Sequence, residues 1–236
     1  MNHLLNRTVV VVGGAGYVGS VLSLRLYFEG WNVRVFDTFW FGNDFFKSCD
    51  PSKLQIIKGD LRNSADLENA LRGATDLIHL ACISNDPSFD LNPRLGKSIN
   101  LDAFPNTIRI AQGSGIKRFI YASSSSVYGI RKEERVTEEL GLKPLTDYSR
   151  FKAECENLLI SEANAEMNYC ILRPATICGY SPRQRFDLVV NLLTAQALTH
   201  RQLRVFGGNQ FRPNLHIQDM VECYLRILTA DDKLIN

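Results

Sequence analysis

Short runs of apolar, largely β-branched residues alternate along the chain with segments of helical character, the pattern of a parallel sheet covered by helices on both faces. The first run, Thr8–Val12, is continuous valine after its threonine, as expected of a strand buried on both sides. A second spans 31–36 (Trp31-Asn32-Val33-Arg34-Val35-Phe36) and ends at Asp37. Further strands are expected at Leu54–Lys58, 76–80, Arg118–Ala122 and Asn168–Leu172. Between them the spacing predicts helices over 17–29, stopped by Gly30, over 66–71, capped by Asn63 or Ser64, and over 93–112, 148–163 and 187–199. No repeat and no low-complexity linker interrupts the series. The aromatic segment Phe39-Trp40-Phe41 with Phe45-Phe46 reads as a packed loop in preference to a cover over a bound ligand.

The connection between the first strand and the first helix carries the most chemistry. Gly13-x-x-Gly16-x-x-Gly19 lies directly after Thr8–Val12, where a tight turn needs glycines that let the backbone approach a pyrophosphate closely. The helix opening around Gly16 and Tyr17 then aims its free N–H groups and positive dipole end at that phosphate. Asp37, 18 residues beyond Gly19 and at the end of the second strand, is placed to accept hydrogen bonds from a ribose. A dinucleotide on a Rossmann-type sheet is the expectation. Arg34, three residues before Asp37, should project to the opposite face of the sheet.

Composition narrows the partners. The chain has 236 residues, 45% of them hydrophobic and 22% charged, with a formal net charge of +2, so no polyanionic partner is indicated and nucleic-acid binding has no support. The six cysteines (Cys49, Cys82, Cys155, Cys170, Cys178, Cys223) contain no Cys-x-x-Cys pair and the four histidines are scattered, so neither a metal site nor a disulfide framework is expected. The strand-like run near the N-terminus is too short for a signal sequence and no stretch approaches the roughly 18 to 20 apolar residues of a membrane span, which leaves a cytoplasmic protein as the expectation.

Catalytic chemistry is suggested by Tyr148-x-x-x-Lys152, since residues at i and i+4 of a helix share a face. An ammonium beside the phenol favours phenolate and should move the tyrosine pKa down from about 10 toward the range of a general base. Ser123-Ser124-Ser125-Ser126 follows the apolar strand residues Phe119-Ile120-Tyr121, which places hydroxyls at a strand's C-terminal end, where open α/β sheets hold ligands.

With these motifs, and with Gly59-Asp60-Leu61, His79-Leu80-Ala81-Cys82, Asn100, Val127-Tyr128-Gly129, Leu172-Arg173-Pro174-Ala175 and Arg212-Pro213-Asn214-Leu215-His216-Ile217-x-Asp219, the chain resembles an extended short-chain dehydrogenase/reductase of the NAD-dependent nucleotide-sugar epimerase/dehydratase family. The resemblance runs from residue 8 to about 228. It implies NAD as cofactor, held by Gly13, Gly16, Tyr17, Val18 and Gly19 at the phosphates, Asp37 at the adenosine ribose, and Asp60 and Leu61 at the adenine. Leu80 and Ala81 would pass beneath the nicotinamide, Lys152 would bind its ribose while tuning Tyr148, and Asn100, Ser123 and Pro174 complete the cofactor positions. Ser124 would help polarise the reacting C–O group, and Ser125, Thr176 and Arg212 would contact substrate, Arg212 by pairing with its phosphate.

The implied reaction is oxidation of a sugar hydroxyl to a ketone, with Tyr148 taking the proton, on a nucleotide sugar expected to be a UDP-sugar, in a homodimer. Related sugar dehydratases usually carry Asp-Glu just before Val-Tyr-Gly, where this chain has Ser125-Ser126; neither serine can act as a carboxylate, so epimerisation, expected at C4 from the resemblance, is favoured over dehydration and decarboxylation, with a dehydratase or reductase as the alternative. Thr176 replaces an asparagine usual in sugar epimerases. The resemblance divides the chain into an NAD-binding domain at 1–175 and a partial substrate-binding region at 176–236, with Lys233-Leu234-Ile235-Asn236 as the start of a strand whose continuation, and with it part of the sugar site, is expected to be missing. A short chain of this kind could bind NAD with little turnover.

Overall fold

The computed structural model describes residues 7–84 and 86–235, the side chain of Asp86 excepted. Its strands are β1 (Thr8–Val12), β2 (Asn32–Asp37), β3 (Leu54–Lys58), β4 (Asp76–His79), β5 (Arg118–Ala122), β6 (Asn168–Leu172), β7 (Thr176–Cys178) and β8 (Asn214–His216). The helices are α1 (Tyr17–Phe28), α2 (Ser64–Leu71), α3 (Asp86–Leu91), α4 (Pro93–Lys97), α5 (Phe104–Gly113), α6 (Asp147–Glu162), α7 (Val189–His200) and α8 (Ile217–Thr229). Six strands form one parallel sheet in the order β3-β2-β1-β4-β5-β6. Strand order reverses between β1 and β4, and such a switch point opens a crevice at the carboxyl ends of the strands.

Alternation within β1 builds both layers at once. Val10 and Val12 are buried in a cluster with Leu67, Phe104 and Leu159 from α2, α5 and α6, whereas Val9 and Val11 join Leu22 and Leu26 of α1 with Val221 and Tyr224 of α8.

The expected helix over 93–112 is instead α4, a π-helical turn at Ser98–Asp102, and α5. Pro105 has no N–H to continue an α-helical ladder, and a π-turn is one way to pass such a point. Of the two cap candidates for α2, Asn63 takes the role, its side chain accepting from Ala65 N at 3.0 Å.

Beyond residue 175, α8 joins the layer of helix α1 on one face of the sheet. Ile217, Met220, Val221, Tyr224, Leu225 and Leu228 form one buried face of α8 and pack in the same layer as α1. Its C-terminus is held from the sheet: Arg118 donates to Leu228 O (2.8 Å) and Ala230 O (2.9 Å), and Arg7 donates to Leu228 O (2.7 Å), cations placed at the negative end of a helix. The segment from 176 to 216 holds the small parallel pair β7-β8 and α7. The strand start expected at 233–236 is a 3-10 turn at Asp232–Leu234 in place of a strand, with Asn236 outside the described residues. Among the described residues no helix is long and apolar enough to cross a membrane.

Candidate active site

The sheet's carboxyl edge opens into one cleft of about 2360 Å³. The turn after β1 forms its floor. Gly13 has φ +82°, donates its N–H to Phe36 O at 2.8 Å, and a Cβ there would lie 2.6 Å from Ala81 N. A Cβ on Gly19 would collide with the carbonyl of Gly13, so the helix can seat this close only with glycine at both ends. Gly16 is the N-cap of α1 and supplies no side-chain cap, which leaves the first N–H groups of the helix open toward the cleft, the arrangement that holds a pyrophosphate.

Asp37 ends β2 beside this turn. Its Oδ2 accepts from Ala15 N at 3.0 Å and its Oδ1 from Phe39 N at 2.9 Å, so the carboxylate is fixed in orientation. Arg34 reaches the other way, to Ala70 O (2.9 Å) and Arg72 O (2.7 Å) at the end of α2. Asp60 and Leu61 line the cleft beyond, and the Arg62 guanidinium holds the Asp60 carboxyl below its usual pKa. Of the aromatic segment, Phe46 is buried and Phe39 and Phe45 pack on the core as expected, whereas Trp40 and Phe41 are exposed and line the cleft.

At the opposite end, a capping box between Thr146 and Ser149 starts α6 and sets Tyr148 in its first turn. Lys152, one turn on, is buried; its Nζ donates to Ala122 O at 2.5 Å and stands 4.9 Å from the Tyr121 ring centroid and 5.9 Å from that of Tyr148. Burial works against the ammonium, but the neighbouring Cys82, Tyr148 and Glu156 outweigh it and the pKa of Lys152 lies above its ordinary value. The Ser124 hydroxyl favours ionisation of the Tyr148 phenol and accepts from Ser126 Oγ at 2.9 Å.

One electrostatic expectation is corrected. The pKa of Tyr148 is raised, because burial of the phenol outweighs the opposing pull of Lys152 and of the Ser124 hydroxyl.

Gly13, Gly16, Tyr17, Val18, Gly19, Asp37, Asp60, Leu61, Leu80, Ala81, Ser123, Ser124, Ser125, Tyr148, Lys152, Pro174, Thr176 and Arg212 all line the one cleft. Asn100 stands apart: it is buried and its amide holds the backbone of Ile83 from both ends, accepting from the N–H at 2.8 Å and donating to the carbonyl at 2.9 Å. His216 caps α8, its Nδ1 accepting from Gln218 N at 3.3 Å.

Four groups at the site escaped the sequence reading. Cys82 lines the cleft and acts electrostatically on both Tyr148 and Lys152. Arg183 lies 3.6 Å from the centroid of the Phe41 ring, and the half-buried Arg185, paired with Asp187 at 2.6 Å, favours ionisation of Tyr148. Glu156 sits two turns beyond Tyr148 behind the serine loop; its position at i+4 from Lys152 was the available signal.

Fold and cleft together define a protein of the dinucleotide-binding Rossmann class. The chain belongs to the NAD dependent epimerase/dehydratase family, whose model matches residues 9–236, and its cofactor is NAD. It is 32% identical to an uncharacterized UDP-glucose epimerase of Bacillus subtilis over 93% of this chain and 72% of the relative, and 25% identical to a UDP-glucose 4-epimerase of Lactobacillus helveticus over 93% and 71%. MoeE5 in complex with UDP-glucuronic acid and NAD superposes with a TM-score of 0.82 at 30% identity, covering 96% of this chain and 73% of that one. A UDP-N-acetylglucosamine 4-epimerase from Methanobrevibacter ruminantium gives 0.86 at 26%, covering 96% and 74%.

Proposed function

We propose that the protein is a nucleotide-sugar 4-epimerase acting on a UDP-sugar through a transient 4-keto sugar. The observation that carries the reading is the convergence of Ser124, Tyr148 and Lys152 on one point of the cleft, with serine at both 125 and 126. NAD, when bound, supplies a reversible hydride acceptor. Gly13, Gly16, Gly19 and the open N–H groups of α1 bind its phosphates, and Asp37 orients the adenosine ribose. Tyr148 removes the proton from the sugar hydroxyl and returns it, Lys152 holds the phenolate by charge, and Ser124 orients the reacting oxygen. Arg212, exposed at the cleft mouth, pairs with the substrate diphosphate, with Ser125 and Thr176 as further substrate contacts.

Elimination of water needs an acid and a base flanking the sugar, and Ser125 and Ser126 offer neither, which favours epimerisation over dehydration on this scaffold. Incubation with UDP-, GDP- and dTDP-sugars, with products resolved by mass and stereochemistry, tests the assignment. A new sugar of unchanged mass from a UDP-sugar is the expected product; loss of 18 mass units, the mass of one water, would establish dehydration instead.

A further inference from the structure

The first turn of α1 is bolted to the segment 179–185 by buried side-chain hydrogen bonds. The Tyr17 hydroxyl donates to Gly179 O at 2.8 Å and accepts from Asn191 Nδ2 at 3.1 Å. Asn191 is itself buried; its Oδ1 accepts from Gly179 N at 2.9 Å and its Nδ2 donates to Arg185 O at 3.0 Å. A second strut runs alongside. Ser181 Oγ donates to the backbone carbonyl of Tyr17 at 2.6 Å and lies 3.0 Å from Ser20 Oγ, all three groups being buried.

Both ends of this brace matter chemically. At one end, Tyr17 and its neighbours present the N–H groups that meet the cofactor's phosphates, so its peptide units and its side chain face two different clients. At the other end, the segment carries Arg183 and Arg185, which line the cleft, and Arg185 acts electrostatically on Tyr17 and on Tyr148 alike. Hydrogen bonds in a water-poor setting are stiff, and buried polar groups that lose a partner are costly, so the two ends cannot shift independently.

We infer that Tyr17, Asn191 and Ser181 are positioning residues that transmit NAD occupancy at the glycine turn to the arginine-bearing segment 179–185. NAD binding fixes the first turn of α1, and the brace fixes Arg183 and Arg185 with it, so the substrate side is ordered only once cofactor is in place. Coupling of this kind is reciprocal and typically about 5- to 150-fold in equilibrium terms.

Amide hydrogen exchange of peptides spanning 176–190, with and without saturating NAD, tests it without requiring turnover. In the unsubstituted protein NAD should slow exchange in 179–185 by about fivefold or more, the low end of that coupling range. In the Asn191→Ala/Ser181→Ala double variant, calorimetry should still show NAD binding within about tenfold of the original, while the NAD-dependent slowing drops below about twofold. Ser181→Ala alone, the milder change, should lose part of the effect. The inference is overturned if NAD leaves exchange in 179–185 unchanged in the unsubstituted protein, or if the double variant keeps the full slowing. It is overturned equally if both variants fold but lose NAD binding, since the contacts then belong to the cofactor seat itself.

Discussion

Arg173 grips Glu156 through both nitrogens of one guanidinium edge, Nε at 3.1 Å and Nη2 at 2.6 Å from Oε2, while Ser123 donates to Oε1 and Arg173 Nη1 donates to the Tyr128 hydroxyl at 2.8 Å. Glu156 is 1% exposed, and its helix is the one that carries Tyr148 and Lys152. The pair locks α6 to the serine loop after β5 and to the strand end of β6. Removing one partner strands the other charge: Glu156→Ala should cost about 3–5 kcal/mol. Replacing both, as Glu156→Leu with Arg173→Met, should recover part of that loss, because the guanidinium is no longer stranded while Ser123 and the buried Lys152 still lose the carboxylate. Urea unfolding midpoints of the two variants and the parent measure both effects.

Tyr148→Phe should leave the fold and NAD affinity nearly intact and reduce turnover by at least about a hundredfold, the lower range for a lost general base. Lys152→Ala should weaken both NAD binding and rate, since the proposed reading gives the one ammonium both tasks. Without cofactor, the phenol of Tyr148 should titrate above the usual value near 10, seen as an ultraviolet transition that Tyr148→Phe removes. Near-parental turnover in Tyr148→Phe would contradict the proposed chemistry.

In the proposed reading the fixed carboxylate of Asp37 faces the adenosine ribose, where a carboxylate would accept from a 2′-OH and repel a 2′-phosphate, so NAD should bind more tightly than NADP. At a hundredfold excess over its dissociation constant, NAD should add about 2.7 kcal/mol of stability. Calorimetric titration with each dinucleotide, together with thermal unfolding, gives the comparison; tighter binding of NADP would refute the role assigned to Asp37.

His79 at the end of β4 is buried among Phe104, Phe119 and Tyr121, with neither ring nitrogen hydrogen-bonded. Burial, reinforced by the nearby Lys152 charge, pushes its pKa down from 6.5 to about 3. The folded form therefore resists a proton that the unfolded chain takes up below 6.5, and the stabilising contribution is present above that value and lost as the pH falls from 6.5 toward 3. Between pH 7 and pH 5 the loss from this residue is about 2 kcal/mol. His79→Leu should flatten that part of the stability curve, as measured by urea midpoints across the range; an unchanged slope would assign the acid sensitivity to other groups.

The strands and the cofactor turn were readable because they depend on local composition. A run of valines reads as a doubly covered strand, Gly13 takes the positive φ that the turn itself demands, and Gly19 needs clearance from Gly13 and Gly14 a few residues away. The same holds for the ends of β2 and α6, where Asp37 and Tyr148 fall at positions set by element length. The reading missed α8 although Ile217, Met220, Val221, Tyr224 and Leu228 repeat with helical spacing, because the family motif through His216 drew the segment toward substrate binding.

What the tertiary structure alone decided is how distant groups act on one another. The i to i+4 spacing of Tyr148 and Lys152 fixed their shared face, but the sign of the phenol's pKa shift depended on how much protein crowds it, and burial overrode the lysine. Asn100 carries a family motif position, yet it braces Ile83, and Tyr17 reaches across 162 residues to Gly179. Periodicity and turn chemistry act over a few residues and are written in order along the chain. Desolvation, ion pairing and hydrogen bonding between remote segments depend on three-dimensional proximity, which appears only when the sheet has brought its strand ends together.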